Sequence, residues 1–156
     1  MIKKSLFLFC GWGSYALAGT SCEQTISYIV PSCLELVING TPTIQFMQPA
    51  AGENFAPVTA MTSYSLSCNQ KDYCISCKLS RKLPDLLLQA QLVAPPGATS
   101  LGQVILTENN QPVVSGISRT KIQNGTITYT MMPSDTNVLP SEITGGIVTV
   151  IFTISS

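Results

Sequence analysis

With 156 residues, eight basic against eight acidic side chains and only 10% of positions charged, the chain is sized for one domain. It carries no field to attract nucleic acid or an anionic membrane. It contains no histidine, which excludes Ser-His-Asp and Cys-His nucleophile systems and the histidine-bearing zinc sites, because each needs an imidazole.

Lys3 and Lys4 give the chain a positive start, Leu6 to Cys10 opens an apolar run that extends to Ala18, and Ala16-Leu17-Ala18 supplies a small–x–small pattern. These are the three regions of a secretory signal peptide, predicted over residues 1–18. The run is shorter than the roughly 20 residues a transmembrane helix requires. The predicted mature chain starts near Gly19 and keeps Cys22, Cys33, Cys68, Cys74 and Cys77. In an oxidising compartment these are disulfide candidates, and their odd number leaves at least one thiol free or paired with another chain. Gly19-Thr20-Ser21 lacks the aliphatic residue of a lipobox, so Cys22 is not expected to carry a lipid. Residues 19–32 form a short arm in which Ile26, Tyr28 and Val30 alternate, and residues 33–156 form the predicted domain.

From Cys33 onward the periodicity is two almost throughout, the spacing of half-buried strands. Leu34, Leu36 and Ile38 alternate up to Asn39-Gly40, and Thr41 to Phe46 follows with Ile44 and Phe46 on one side. Asn-Gly between two such runs predicts a type I′ hairpin. Gln48 to Pro57 reads as a loop. Val58 to Cys68 alternates, with Tyr64, Leu66 and Cys68 inward, and Tyr73, Ile75, Cys77 and Leu79 form the next inward set. Leu86 to Val93 is a further strand, broken by Pro95-Pro96-Gly97. Val104 to Thr107, Val113 to Ile117 and Thr126 to Met132 follow, with Asn124-Gly125 expected as a second turn. The last strand places Val148, Val150, Phe152 and Ile154 on one face. Short strands with turn signals at this spacing predict an all-β, immunoglobulin-like antiparallel two-sheet sandwich of about seven to nine strands, with a closed barrel as the alternative.

Chemical motifs are sparse. Ser118-Arg119-Thr120-Lys121 matches S-x-x-K, but its companion motifs are missing and it falls in a turn. Cys74-Ile75-Ser76-Cys77 is a C-x-x-C pair inside an alternating run. Residues three apart on a strand face opposite ways with Cα atoms about 10 Å apart, against the roughly 7 Å limit of a disulfide. As strand residues they neither bridge nor share a metal, so Cys77 is expected in the core and Cys74 outward. Asn39-Gly40-Thr41 and Asn124-Gly125-Thr126 satisfy N-x-[ST] and are equally accounted for as turns. Lys78, Arg81 and Lys82 read as a solvated strand end. Glu35, Glu108, Asp135 and Glu142 show no metal-loop spacing, and no cofactor motif is present.

The placement of Cys33 in Pro31-Ser32-Cys33-Leu34, of Cys68 in Ser63-Tyr64-Ser65-Leu66-Ser67-Cys68, and the alternating Ile147 to Ile154 together resemble bacterial fimbrial pilins and the related spore-coat-U-like secreted subunits. The resemblance implies an immunoglobulin-like sandwich and a disulfide between Cys33 and Cys68. Cys22 with Cys74 is the second expected pair, which leaves Cys77 buried and reduced. Two features depart from the family: the chain ends Ile154-Ser155-Ser156 without a penultimate Tyr, and the arm is short for a strand donor.

The reading is therefore an exported structural or adhesive subunit of the bacterial surface or periplasm, without catalytic activity or cofactor. Its expected partners are itself or another surface subunit, through edge-strand pairing that involves Val148, Val150, Phe152 and Ile154. The alternatives are a secreted binding module for a peptide or glycan, and a thiol-active protein using Cys74 and Cys77.

Overall fold

The computed structural model describes residues 23–47, 49–50, 53–135 and 145–156, so the predicted signal peptide lies outside the described residues. The chain divides into two units, Met1–Val30 and Pro31–Ser156. In the first, residues 23–30 adopt no regular secondary structure, and Ile26, Tyr28, Ile29 and Val30 are exposed.

In the second unit the period-two runs become strands: β1 (Leu34–Asn39), β2 (Val58–Cys68), β3 (Tyr73–Leu79), β4 (Leu86–Leu92), β5 (Thr99–Ser100), β6 (Val104–Ile105), β7 (Gln111–Ile117), β8 (Thr120–Pro133) and β9 (Val150–Ser155). They form two antiparallel sheets, ordered β1-β2-β8-β4-β6 and β5-β7-β3-β9. The fold is an all-β sandwich, not a single closed barrel. No helix among the described residues is long and apolar enough to cross a membrane.

Alternation decides the core. Tyr64, Leu66 and Cys68 of β2, Leu88, Ala90 and Leu92 of β4, and Ile127 and Tyr129 of β8 point inward from one sheet. Ile75, Cys77 and Leu79 of β3 meet them from the other, with Val113, Val114 and Ile117 of β7. Their partners on the opposite faces are Ser63, Ser65, Ser67, Thr128 and Gln91, which leave the outer surface of the larger sheet solvated. A one-residue slip would exchange the two sets, so burial fixes the register.

Both Asn-Gly pairs do something other than turn a hairpin. Asn39-Gly40 ends β1, with Gly40 at φ 85°, but residues 41–46 form no ladder, and β1 pairs instead with β2 across the whole 40–57 connection. Ile44 and Phe46 are nonetheless half-buried, and Phe46 packs on Phe55 at 5.1 Å between ring centroids. This segment has the side-chain pattern of a strand without the backbone partner.

Asn124-Gly125 lies within β8. The register passes from Tyr64↔Gly125 to Leu66↔Ile122, which sets two residues, Gln123 and Asn124, opposite Ser65, one more than the ladder can pair. Asn124 takes φ 57° in this bulge, because the positive φ that suits Asn to a turn also suits it here. Gly125 is required for space: a Cβ there would lie 2.6 Å from Tyr64 Cε1 and 2.9 Å from Ile122 Cδ1. The bulge also seats the Tyr64 ring so that its hydroxyl donates to the Val93 carbonyl at 2.5 Å.

Gly125→Ala forces the Tyr64 ring to move and should cost about 1–3 kcal/mol, the usual range for overpacking. Urea unfolding should show a lower midpoint at unchanged slope; an unshifted midpoint would mean that the ring relaxes freely.

Candidate functional site

The sandwich is closed on one side and open on the other. Among the described residues β9 sits at the edge of its sheet and pairs only with β3, from Cys74↔Ser155 to Leu79↔Val150. Across from it runs the unladdered segment 41–46. Between them lies a groove of about 630 Å³. Ile44 and Phe46 form one wall, Val148, Val150 and Phe152 the other, and Leu83, Leu88, Tyr129 and Met131 are the floor. The expected inward set of the last strand does face the core, but Val148, Val150, Phe152 and Ile154 are only half-buried. The strand completes its own sheet on one edge, and its other edge has no partner among the described residues.

Polar contacts hold the approach to β9 in place. Ser80 N donates to the Thr149 carbonyl at 2.9 Å, and Thr149 N donates back to Ser80 Oγ at 3.2 Å. Arg81 donates from Nε (3.2 Å) and Nη2 (2.7 Å) to the Ile147 carbonyl. The cluster expected to be a solvated strand end therefore contains a backbone clasp. Tyr129, on the groove floor, was legible only as one more inward position of β8.

The cysteines depart from the expected pairing. Leu34 stands opposite Cys68, and Cys33 one step further, where it exchanges contacts with Asn69: Cys33 N donates to Asn69 Oδ1 at 2.8 Å, and Asn69 N to the Cys33 carbonyl at 3.1 Å. Neighbours along a strand face opposite ways. Cys68 is buried in the core, while the exposed Cys33 has its Sγ 3.7 Å from Ser67 Oγ, on the outer face. The expected Cys33–Cys68 disulfide is not formed, and both thiols are free. The register is one residue out for a bridge. Cys22, of the second expected pair, lies outside the described residues; Cys74 is free, with its Sγ 3.7 Å from Ser155 Oγ.

Cys74 and Cys77 sit on opposite faces of β3. Cys77 is fully buried, and burial pushes its thiol up to about 12. A thiol so placed is protonated near neutrality and is no nucleophile. Ser118 Oγ accepts a hydrogen bond from Asp72 N at 3.2 Å, and Arg119 takes φ 43°, so the S-x-x-K match is the tight turn between β7 and β8. Among the described residues no three His, Cys, Asp or Glu side chains are grouped to hold a metal ion. Of the four carboxylates considered, Glu142 lies outside the described residues.

No family model matches this chain, and no characterised protein is detectably related to it in sequence.

The buried acids give the fold a pH limit. Burial raises Cys77 from 9.0 to about 12 and Tyr64 from 10.0 to about 12. The unfolded chain loses these protons first as pH rises, so the stability they contribute is complete below about pH 9 and falls as pH approaches 12. The loss approaches about 1.4 kcal/mol per pH unit for each group once its unfolded pKa is passed. Urea midpoints should drop steadily between pH 9 and 11, and Cys77→Ala should flatten that slope. An equal slope in the variant would show that Cys77 does not couple to folding.

Proposed function

We propose that this chain is an exported structural or adhesive surface subunit, without catalytic chemistry, that joins to further copies by accepting a strand in the groove beside β9. One observation carries the reading: among the described residues the core is open between β9 and residues 41–46, two segments patterned as strands that lack a partner where they face one another. An added strand would supply main-chain hydrogen bonds to the free edge of β9 and cover half-buried Val148, Val150 and Phe152, the logic of β-augmentation. An open apolar edge left bare is a liability in a soluble protein.

Residues 23–30 have the composition such a strand needs, with exposed Ile26, Tyr28 and Val30 at period two and no charge after Glu23. Export to the bacterial envelope is supported by the charge, apolar run and small–x–small pattern of residues 1–18. The resemblance to fimbrial pilins and spore-coat-U-like subunits points the same way. A binding module for an extended peptide would use the same groove but would be monomeric when free.

Native mass measurement on the chain beginning at Gly19 separates the two. Concentration-dependent oligomers are expected at micromolar concentrations, and removal of residues 19–30 should leave a folded monomer with an unchanged β-type circular dichroism spectrum. A full chain that remains monomeric throughout, or a truncated one that assembles equally well, would rule out the assembly reading.

A further inference from the structure

On the groove floor lies a buried polar group that finds no use in the fold among the described residues. Tyr129 stands on β8 between Ala60 and Ala90. It is only 5% exposed and lines the groove floor, yet its hydroxyl has no hydrogen-bond partner among the described residues. No described side-chain oxygen is both sealed from solvent and unpartnered, so the Tyr129 oxygen is reached from the groove. The contrast within the same core is Tyr64, whose hydroxyl is spent on the Val93 carbonyl. At position 129 a phenylalanine would pack as well, and the hydroxyl adds nothing to the fold. A large side chain more than nine-tenths buried, with an idle donor beside a largely apolar opening, is the mark of a binding surface.

We propose that Tyr129 is a specificity-determining residue, whose phenolic O–H donates a hydrogen bond to a main-chain carbonyl of the strand that fills the groove, residues 23–30 of a second copy. This rests on the assembly reading above and names the contact that fixes its register. From Gln24 to Val30 the segment has no charge, and a charged strand would be desolvated against Leu83, Leu88 and Met131 without compensation. Ile26, Tyr28 and Val30 would enter together, whereas a one-residue slip would present Thr25, Ser27 and Ile29 instead. Apolar walls tolerate such slips poorly but do not forbid them. A directed hydrogen bond to one carbonyl does discriminate against that one-residue slip, because successive carbonyls of a strand point opposite ways. Burial, with a smaller contribution from the nearby Cys77 thiol, pushes the Tyr129 phenol well above its ordinary range, which keeps it a donor.

The test uses the full chain and a fluorescent synthetic peptide with the sequence of residues 23–32, with binding read by anisotropy and stability by urea unfolding. Tyr129→Phe should weaken peptide binding about three- to ten-fold, the worth of one neutral hydrogen bond, while its urea midpoint stays equal to or above that of the parent. A peptide with Ile26 and Tyr28 both replaced by Ser should bind far more weakly to either protein. Equal peptide affinity in Tyr129→Phe, with the parent binding normally, overturns the anchor and leaves the assembly reading standing. Loss of affinity together with a lowered midpoint also overturns it, since the hydroxyl would then be structural. A parent chain that is monomeric and does not bind the peptide removes both readings.

Discussion

The sandwich is organised around β8. This 14-residue strand pairs with β2 along one edge and β4 along the other, so the larger sheet has no continuity without it. Its register against β2 shifts by one residue between Tyr64 and Leu66, and the bulge at Gln123–Asn124 holds the extra residue. The bulge is possible because Gly125 has no side chain where the Tyr64 ring must lie. One missing methyl group thus sets the position of a core tyrosine and, through it, the hydrogen bond that ties β2 to Val93 beyond the end of β4.

From that point the two ends of the core diverge. Around Tyr64 every group is enclosed: the ring is fully buried, Leu92 and Ile127 are likewise sealed, and the hydroxyl is satisfied. Around Tyr129 the sheets part, because the small sheet stops at β9 and residues 41–46 follow the opening without bonding to it. Among the described residues there are enough apolar side chains there to line a core but one strand too few to cover it. Both ends obey the same packing rules, and the difference between them is the count of strands.

Inward and outward sets were readable from sequence because a strand's side-chain period is fixed at two, and burial then selects the face. Tyr64, Leu66 and Cys68, and Ile75, Cys77 and Leu79, lie where that rule puts them. Ladder partners were not readable. Residues 41–46 alternate like a strand, yet nothing within those six positions says whether a neighbour exists. Asn-Gly likewise signals positive φ, which a turn, a strand end and a bulge all require. The Cys33–Cys68 bridge failed on a register one residue out, a difference set by the pairing of Leu34 with Cys68 and invisible in the spacing of two cysteines. The two walls of the groove, Ile44 with Phe46 and the face from Val148 to Phe152, were legible as alternating sets, but not that they face one another; its floor draws on residues from distant strands.

The pairing of β3 with β9 has a kinetic side. Cys74 and Ser155 are 81 positions apart and meet across the same ladder. Closing a loop of that length is slow relative to forming the neighbouring hairpins, since its entropy is lost before any ladder bond is gained. Until it closes, β3 has β7 on one edge and nothing on the other, and the small sheet exists as a fragment. The larger sheet, built around β8, is assembled from β1, β2, β4, β6 and β8, none of which waits for β9. The larger sheet waits on a closure of similar length, Val58 with Met131 across β2 and β8, but β8 is held along two edges and β9 along one among the described residues, so the side that bears the groove should be the first to come apart.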